Sequence, residues 1–217
     1  MKTARETSMN KRSRAPAWRR FITATLGTTA LLLAGGTSAA PTINAPAPEF
    51  TAVDSHGVSH SLSDFRGSAV VLEWTNHDCP FVVKHYQGNM QTLQQESTAD
   101  GVVWLTIISS KPGSQGYVSS EQANELTTSR GAAPTAVLLD PEGSVGRAYG
   151  AQVTPHMYVI DEDGRLVYMG GIDDKPTSNP ADIPGATPYV LNALAALSEG
   201  AAIDPNQTRP YGCTVKY

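Results

Sequence analysis

The fold is decided by residues 69–81, which read Ala-Val-Val-Leu-Glu-Trp-Thr-Asn-His-Asp-Cys-Pro-Phe. The first part, Ala69–Trp74, is an unbroken run of β-prone residues, the pattern of a strand that is buried on both faces. Beyond Cys79, apolar residues recur at helical spacing as far as Ser97, and Pro80 suits the first position of a helix. The sequence therefore predicts a buried strand, a turn and a helix, with Cys79 where the helix begins.

Strands and helices alternate around this unit. Two short strands near residues 50–53 and 58–62 precede it. We predict the later elements as strands at 102–108, 135–139, 157–161 and 166–170 and helices at 120–130, 144–149 and 189–197. This order gives a βαβ unit followed by a ββα unit, an α/β fold around a mixed central sheet with an N-terminal β extension.

Residues 1–39 differ in kind from the rest of the chain. Basic residues precede a short apolar run at 21–34, and small residues follow it, which is the pattern of a secretory signal peptide. We predict cleavage after Ala39 and export to the periplasm or another extracytoplasmic location. The run is too short and too rich in Thr and Gly to predict a stable membrane span, although an uncleaved anchor is the alternative. Arg19 and Arg20 leave the twin-arginine route open.

Three parts follow the signal peptide. Residues 40–48, rich in Pro and Ala, predict an extended linker. Residues 49–198 contain the strands and helices of one domain, and residues 199–217 form a C-terminal tail that carries Cys213.

Removal of the signal peptide changes the charge balance. Seven of the 16 basic residues and one of the 20 acidic residues lie before residue 41, which leaves nine basic against 19 acidic, a net charge of −10. Such a surface repels nucleic acid and anionic lipid headgroups, so neither is an expected partner.

Cys79 is the leading candidate for a chemical role. A thiol at the start of a helix faces unsatisfied N–H groups and the positive end of the helix dipole, which favour the thiolate and lower the pKa. The thiolate is the form that attacks disulfides and peroxides. A protonated His77 would lower the pKa further, whereas Asp78 would oppose it. An inert buried cysteine is the alternative.

Two blocks of sequence resemble the redoxin and AhpC/TSA branch of the thioredoxin superfamily. Residues 61–74 (SLSDFRGSAVVLEW) resemble the approach to that family's active site, and residues 153–164 (VTPHMYVIDEDG) resemble its cis-proline strand. The resemblance covers most of residues 46–198 and implies a thioredoxin fold.

The same resemblance implies roles for three residues of the second block. The bond before Pro155 would be cis, and Thr154 and His156 would lie beside the Cys79 sulfur and contact substrate. In this superfamily the cis-proline presents the preceding backbone to an extended substrate. An ordinary turn at these three residues is the alternative.

Glu73 lies six residues before Cys79. This matches the position where thioredoxins keep a buried acid beneath their cysteine pair. Burial would raise the pKa of its carboxyl group, which could then relay a proton to or from a thiol. A solvated charge at the end of the strand is the alternative.

The chain also departs from the patterns of its superfamily. Val82 stands where Cys-x-x-Cys proteins have their second cysteine. Leu72 and Asn76 stand where peroxiredoxins have a Pro and a Thr or Ser, and we find no clear match to the peroxiredoxin arginine. Asn76 could still donate a hydrogen bond to a substrate. The Cys-Pro-Phe-Val turn and the ending Gly-Cys-x-x-Lys-Tyr resemble a group of exported thioredoxin-family proteins.

Cys213 is the other cysteine of the sequence. Our hypothesis is that it is the resolving cysteine, carried on a mobile tail that folds back to form a disulfide with Cys79. A fixed structural bridge and a spectator surface thiol are the alternatives, since the sequence does not show whether the two sulfurs meet.

A soft-metal site at His77, Cys79, His85 and His156 is a weaker alternative. The copper-handling relatives of this fold usually supply a second nearby cysteine, which the turn lacks. We therefore expect no metal and no other cofactor.

The sequence thus predicts a thiol oxidoreductase of the cell envelope that uses Cys79, Cys213 and Glu73. Its substrates would be oxidised protein thiols or peroxide, and a thiol of unidentified nature would reduce it. A peroxiredoxin-like antioxidant peroxidase and a non-catalytic binding or copper-handling module are the alternatives.

Overall fold

A mixed sheet of seven strands forms the centre of residues 40–217, the part of the chain that the computed structural model describes. The signal-peptide prediction lies outside the described residues. From one edge to the other, the strands are β2 (Ser59–Ser61), β1 (Thr51–Asp54), β5 (Ala136–Leu139), β4 (Val103–Ile108), β3 (Val70–Trp74), β7 (His156–Ile160) and β8 (Leu166–Gly170). β3, β4 and β5 are parallel, and β1, β7 and β8 pair antiparallel with their neighbours. The predicted α/β fold with its N-terminal β extension is confirmed.

Five α-helices cover the described sheet: α1 (Pro80–His85), α2 (Asn89–Ala99), α3 (Ser120–Ser129), α4 (Ser144–Tyr149) and α5 (Tyr189–Ser198). Short 3₁₀ helices lie at Leu62–Phe65 and Pro180–Gly185. The sequence pattern predicts one continuous helix from Pro80 to Ser97. This prediction is wrong in one respect, because the helix is interrupted between α1 and α2. Gly88 has φ +124 there, a conformation that glycine adopts without steric cost, and it stands at the N-cap of α2.

Apolar side chains fill both faces of the sheet, and β3 contributes to each because successive strand residues point to opposite sides. Leu72 and Trp74 belong to one buried cluster, which α4 completes with Val145 and Tyr149. Val71 belongs to the other cluster, which α2 and α5 cover. All five residues of β3 are buried, as the unbroken apolar run predicts.

The two ends of the described chain are attached to the domain. In the linker at 40–48, the Asn44 N–H donates to the Leu166 carbonyl at 2.7 Å, and Ala47 is buried. In the tail, β9 (Cys213–Thr214) pairs antiparallel with β6 (Val153–Thr154). The sequence predicts an extended linker and a mobile tail; in the structure, backbone pairing fixes segments of both to the domain.

Within residues 40–217, no helix combines the length and the apolar character that crossing a membrane requires.

Candidate redox site

The turn after β3 is built from local hydrogen bonds that fix Cys79. Asn76 Oδ1 accepts from the Asp78 N–H at 2.9 Å, and the Cys79 N–H donates to the Asn76 carbonyl at 3.0 Å. Cys79 then stands at the N-cap of α1, with Pro80 at the first helical position as predicted. The Val82 and Val83 N–H groups both donate to the Cys79 carbonyl at 2.9 Å, so the backbone of the cysteine is held on each side.

The Cys79 sulfur faces the loop that contains Pro155. The Cys79 side chain is fully buried, and its S–H donates to the Thr154 carbonyl with a sulfur-to-oxygen distance of 3.1 Å. The bond between Thr154 and Pro155 is cis, as the resemblance implies. Thr154 is therefore beside the sulfur, and its main chain makes the contact.

Cys213 reaches the same place from the far end of the chain. It lies directly opposite Thr154 in the β6–β9 pair, and Thr154 is also the residue whose carbonyl contacts the Cys79 sulfur. Both cysteines are free thiols, with Cys79 buried and Cys213 partly exposed. The structure thus brings together the two cysteines whose proximity the sequence does not show.

The pKa values of the two thiols are shifted in opposite directions. Burial raises the pKa of the Cys79 thiol, but hydrogen bonds from Cys213, from the Val82 N–H and from Thr154 outweigh burial and hold that pKa below its ordinary value. Burial, the hydrogen bond to Cys79 and the negative charge on Cys79 raise the pKa of the Cys213 thiol to about 12. Cys79 is therefore the more acidic thiol of the pair, and Cys213 is the thiol that holds its proton more tightly.

Glu73 is fully buried on β3, so the alternative of a solvated strand-end charge is wrong. Its carboxylate accepts four hydrogen bonds, from the Tyr86 hydroxyl at 2.8 Å, Trp104 Nε1 at 2.9 Å, Gln94 Nε2 at 3.0 Å and Thr106 Oγ1 at 3.1 Å. Burial outweighs these donors and raises the pKa of the carboxyl group. Because Tyr86 closes α1, Glu73 ties the end of the Cys79 helix to the sheet.

Asn76 has a visible role in shaping the turn. Its side chain is buried against Gly116, where an added Cβ would lie 2.5 Å from Asn76 Cγ. Gly116 also has φ +87, so a glycine is required there on both counts. Contact between Asn76 and a substrate stays a prediction.

His156 is buried at the start of β7, with its ring centroid 4.6 Å from that of Tyr158. His156 Nδ1 lies 3.2 Å from the Tyr158 hydroxyl and 3.4 Å from the Gln152 nitrogen. Burial lowers the pKa of His156 to about 4, so the ring is neutral at pH 7. The side chain of His156 therefore contacts residues of the core, whereas Thr154 contacts the cysteines.

The histidines considered for a metal site lie in separate surroundings. His77 is partly exposed beside Asp78, with Nε2 and Oδ1 3.3 Å apart. His85 is buried beneath α1, and His156 packs on Tyr158. Among the described residues, no group of three or more His, Cys, Asp or Glu side chains is arranged to hold a metal ion.

A buried polar cluster that the sequence analysis missed joins α1 to the tail. We call it the Tyr211 anchor; its members are Lys84, His85, Asp173 and Tyr211. Lys84 Nζ lies 3.5 Å from Asp173 Oδ2, and the Tyr211 hydroxyl donates to Asp173 Oδ1. His85 Nε2 lies 3.1 Å from the Tyr211 hydroxyl. The anchor therefore fixes the tail two residues before Cys213.

The protonation of the Tyr211 anchor follows from its contacts. Asn89 Nδ2 lies 2.9 Å from His85 Nδ1, which leaves the proton of a neutral ring on Nε2, facing Tyr211. Burial and the charge of Lys84 lower the pKa of His85 to about 4 against the opposing effect of Asp173. A neutral His85 thus donates to Tyr211, which donates to Asp173, and Lys84 balances the charge of the carboxylate.

Arg130 is a second residue that the sequence analysis missed. It ends α3, and its Nη2 donates to the His77 carbonyl at 2.9 Å, within the turn that carries Cys79. Its guanidinium carbon lies 4.9 Å from the centre of the Tyr86 ring. Arg130 therefore braces the turn from outside, a role that no local sequence signal indicates.

A cysteine at the start of a helix, facing a cis-proline loop in a mixed sheet, defines the class of thioredoxin-fold thiol redox proteins. The family model described as the AhpC/TSA family matches residues 43–169, more than half of the chain. The chain belongs to this family, and membership supports thiol-based redox activity in general.

Solved structures share the fold. A hypothetical protein of Sinorhizobium meliloti 1021 is 25% identical, has a TM-score of 0.69, and the match covers 82% of this chain and 96% of that one. An uncharacterized conserved protein of Geobacillus kaustophilus is 28% identical with a TM-score of 0.69, over 81% and 92% of the two chains. A putative protein disulfide isomerase of Bacteroides thetaiotaomicron shares the fold at 16% identity and a TM-score of 0.52, over 73% and 91%. No curated protein is similar enough in sequence to count as a match.

Proposed function

We propose that this protein is a thiol–disulfide oxidoreductase in which Cys79 and Cys213 alternate between two thiols and one disulfide bond. The observation that carries the proposal is the pairing of Cys213 with Thr154, the residue whose carbonyl lies 3.1 Å from the Cys79 sulfur. The opposite pKa shifts of the two thiols give them different roles. The lowered pKa favours Cys79 as the attacking thiolate, and the raised pKa keeps Cys213 protonated until its proton is needed elsewhere.

The oxidation of the pair proceeds in two displacements. The Cys79 thiolate attacks one sulfur of a substrate disulfide RSSR, which forms a Cys79–S–S–R mixed disulfide and releases RS⁻. Cys213 then loses its proton and attacks the Cys79 sulfur, which releases the second RS⁻ and closes the Cys79–Cys213 disulfide. The substrate gains two electrons and the protein loses two. Because Cys79 is buried, the first displacement requires the tail to move aside.

Neighbouring residues assist these steps in different ways. We propose that the main chain of Thr154 and the loop at Pro155 position the substrate sulfur, because the Cys79 sulfur already lies against the Thr154 carbonyl. Asn76 and His156 remain candidate substrate contacts that require movement from the positions seen here. Glu73 acts on the site through Tyr86 and α1, and its raised carboxyl pKa suits a group that stores a proton.

Peroxide is the second candidate substrate, and membership of the AhpC/TSA family favours it. In that case the Cys79 thiolate attacks one peroxide oxygen, which gives a sulfenic acid and releases water or an alcohol. Cys213 then attacks the sulfenic sulfur, releases water and forms the same disulfide. A thiol reductant restores the two thiols in either case.

We also propose that the protein works outside the cytoplasm, on the strength of the signal-peptide pattern in residues 1–39. A disulfide cycle suits an oxidising compartment. Cell fractionation with N-terminal sequencing of the isolated protein tests this; the expected mature end is Ala40.

The activity assay compares wild type with Cys79→Ser, using a small aromatic disulfide or hydrogen peroxide as the oxidant and dithiothreitol as the electron source. Wild type should turn over at least one of the two oxidants, and Cys79→Ser should turn over neither. Circular dichroism of both proteins controls for folding. A folded wild-type protein that turns over neither would contradict the proposal and favour a non-catalytic binding module.

A further inference from the structure

The tail covers the open edge of β6. Cys213 and Thr214 pair antiparallel with Thr154 and Val153, and the Val215 N–H donates to the Gln152 carbonyl at 3.0 Å. Gly212 allows this close approach, because a Cβ built there would collide with the Thr154 carbonyl, and its φ of +138 is also strained for other residues. The main chain of the tail thus lies directly on the peptide group that contacts the Cys79 sulfur.

A polypeptide partner would need this edge of β6 for strand pairing. An extended chain that presents a cysteine to a buried sulfur binds best by adding a strand beside it, with its main chain paired to a free edge. The Cys79 sulfur lies against Thr154, so the edge in question is that of β6. β9 already occupies it, and Cys213 takes the place of the partner's cysteine.

Anchors on both sides keep the tail in this position. The Tyr211 anchor fixes it before Cys213 through Asp173 and His85. After Cys213, the Tyr217 hydroxyl donates to the Ala151 carbonyl at 2.6 Å, and the Lys111 N–H donates to the Lys216 carbonyl at 2.9 Å. A polypeptide would have to displace these contacts before it could pair with β6.

The two sulfurs differ in their exposure. Cys79 is fully buried under the tail, whereas Cys213 is partly exposed. Because Cys213 pairs with Thr154, whose carbonyl contacts the Cys79 sulfur, the disulfide between the two cysteines can form with the tail close to its present position. Cys213 is the partly exposed member of that disulfide and therefore the one open to a molecule from solvent.

We propose that the reductant of this protein is a small thiol that attacks the Cys213 sulfur of the Cys79–Cys213 disulfide while the tail stays paired with β6. The proposal rests on the proposed function and supplies the partner that it leaves open. A reductant of this class needs no strand pairing and no displacement of the tail.

The chemistry takes two thiols of the same kind. The first thiolate RS⁻ attacks the Cys213 sulfur, which forms Cys213–S–S–R and expels the Cys79 thiolate. A second RS⁻ attacks the sulfur of the bound R group, which releases RSSR and the Cys213 thiolate, and the latter takes up a proton. The protein gains two electrons and the two small thiols lose them. The lowered pKa of Cys79 makes it the better leaving group in the first step.

The test uses the oxidised wild-type protein and two probes of known thiol reactivity, reduced glutathione and a ten-residue peptide with one central cysteine. Each rate of protein reduction is divided by the rate of the same thiol with an unstructured disulfide. The normalised glutathione rate should exceed the peptide rate by about tenfold or more. The tail already occupies the β6 edge that the longer chain would need, whereas a tripeptide needs only access to the partly exposed Cys213. Acid-quenched samples, mapped by mass spectrometry, should carry glutathione on Cys213.

A tail variant sharpens the test. Tyr211→Phe removes the hydroxyl that contacts Asp173 and His85. It should raise the ratio of the peptide rate to the glutathione rate by about fivefold, the effect of one weakened hydrogen bond. Tyr117→Phe, at an exposed tyrosine before α3, is the matched control and should leave the ratio unchanged.

The outcomes separate this inference from the proposed function. If the disulfide forms but glutathione is found on Cys79, or the peptide reacts as fast as glutathione, the inference is overturned and the proposed function stands. If oxidation yields no Cys79–Cys213 disulfide, both are overturned.

Discussion

The turn that carries Cys79 and the tail that carries Cys213 meet at one site but are held in different ways. Hydrogen bonds between residues a few positions apart build most of the turn, as between Asn76 and Asp78, and Arg130 adds a distant brace. Contacts with distant parts of the chain fix the tail, as between Tyr211 and Asp173. The thiol with the lowered pKa therefore lies on a locally built scaffold, and the thiol with the raised pKa lies on a segment that can leave without unfolding the turn.

The cysteines of the turn and the tail also differ in their exposure and in their chemistry. Cys79 is the buried thiol with the lowered pKa, and Cys213 is the partly exposed thiol with the raised pKa. In such a site the tail protects the reactive sulfur. The tail also supplies a second cysteine, which the turn lacks because Val82 stands at that position. Substitutions in the two regions should therefore have different effects, and the following predictions run from the largest effect to the smallest.

Loss of the turn cysteine should abolish the chemistry, and loss of the tail cysteine should stop it halfway. With a small aromatic disulfide in a single-turnover experiment, Cys79→Ser should lower the rate of thiol attack by about 1000-fold, because a serine hydroxyl is not ionised at neutral pH. Cys213→Ser should still attack but should accumulate a mixed disulfide. Equal losses in both variants would contradict the division of roles.

Breaking the Tyr211 anchor should destabilise the fold more than a matched change beside it. Asp173→Asn leaves the fully buried Lys84 without its carboxylate, and we expect a loss of about 3 kcal/mol in the free energy of unfolding. Asp174→Asn, at the partly exposed neighbour, should cost clearly less, because solvent screens that carboxylate. Urea unfolding measures both, and similar losses would show that the buried pair has no special role.

Removal of the tail thiol should raise the pKa of the turn thiol. In Cys213→Ala, Cys79 loses the neighbouring thiol that favours its thiolate, and its pKa should rise. Thiolate absorbance at 240 nm, followed as a function of pH, reports the change. Cys79→Ala provides the reverse case, in which the Cys213 pKa should fall from about 12 towards its ordinary value.

The smallest effect concerns Glu73 beneath the turn. Burial raises its carboxyl pKa, so the folded state binds a proton more tightly than the unfolded state does. Its contribution to stability is thus fully present below the ordinary carboxyl pKa and is lost as the pH rises through the raised folded-state pKa. The slope cannot exceed about 1.4 kcal/mol per pH unit for one proton. Glu73→Gln should remove this part of the pH dependence of unfolding, and an unchanged profile would contradict the assignment.

Features that depend on local contacts could be predicted from the sequence more readily than features that depend on distant contacts. The buried strand, the Cys79 turn and Pro80 are predictable because each depends on neighbours in sequence. The cis bond at Pro155 and the burial of Glu73 follow from the family resemblance. The break between α1 and α2 at Gly88 is hidden, because a helical spacing of apolar residues continues past it.

The sequence predicts a tail that folds back to Cys79, but the fixed pairing of that tail with β6 and the Tyr211 anchor could not be predicted. Tyr211 and Asp173 are distant from α1 in sequence, and Lys84 on a short helix has the pattern of a solvated charge. The position of the His156 side chain could not be predicted for a related reason. His156 lies only two residues after Thr154, but the sequence does not reveal that its ring turns into the core. In each case, tertiary contacts decide what the side chain does.

A redox titration tests the central claim most directly. Wild-type protein is equilibrated in buffers of graded ratios of reduced to oxidised glutathione, its free thiols are alkylated under acid quench, and the mass of each species is measured. The account predicts one two-electron transition, in which Cys79 and Cys213 lose their reactivity with the alkylating reagent together and the oxidised species carries an internal disulfide. Independent behaviour of the two cysteines, each ending as a separate glutathione adduct, would contradict it.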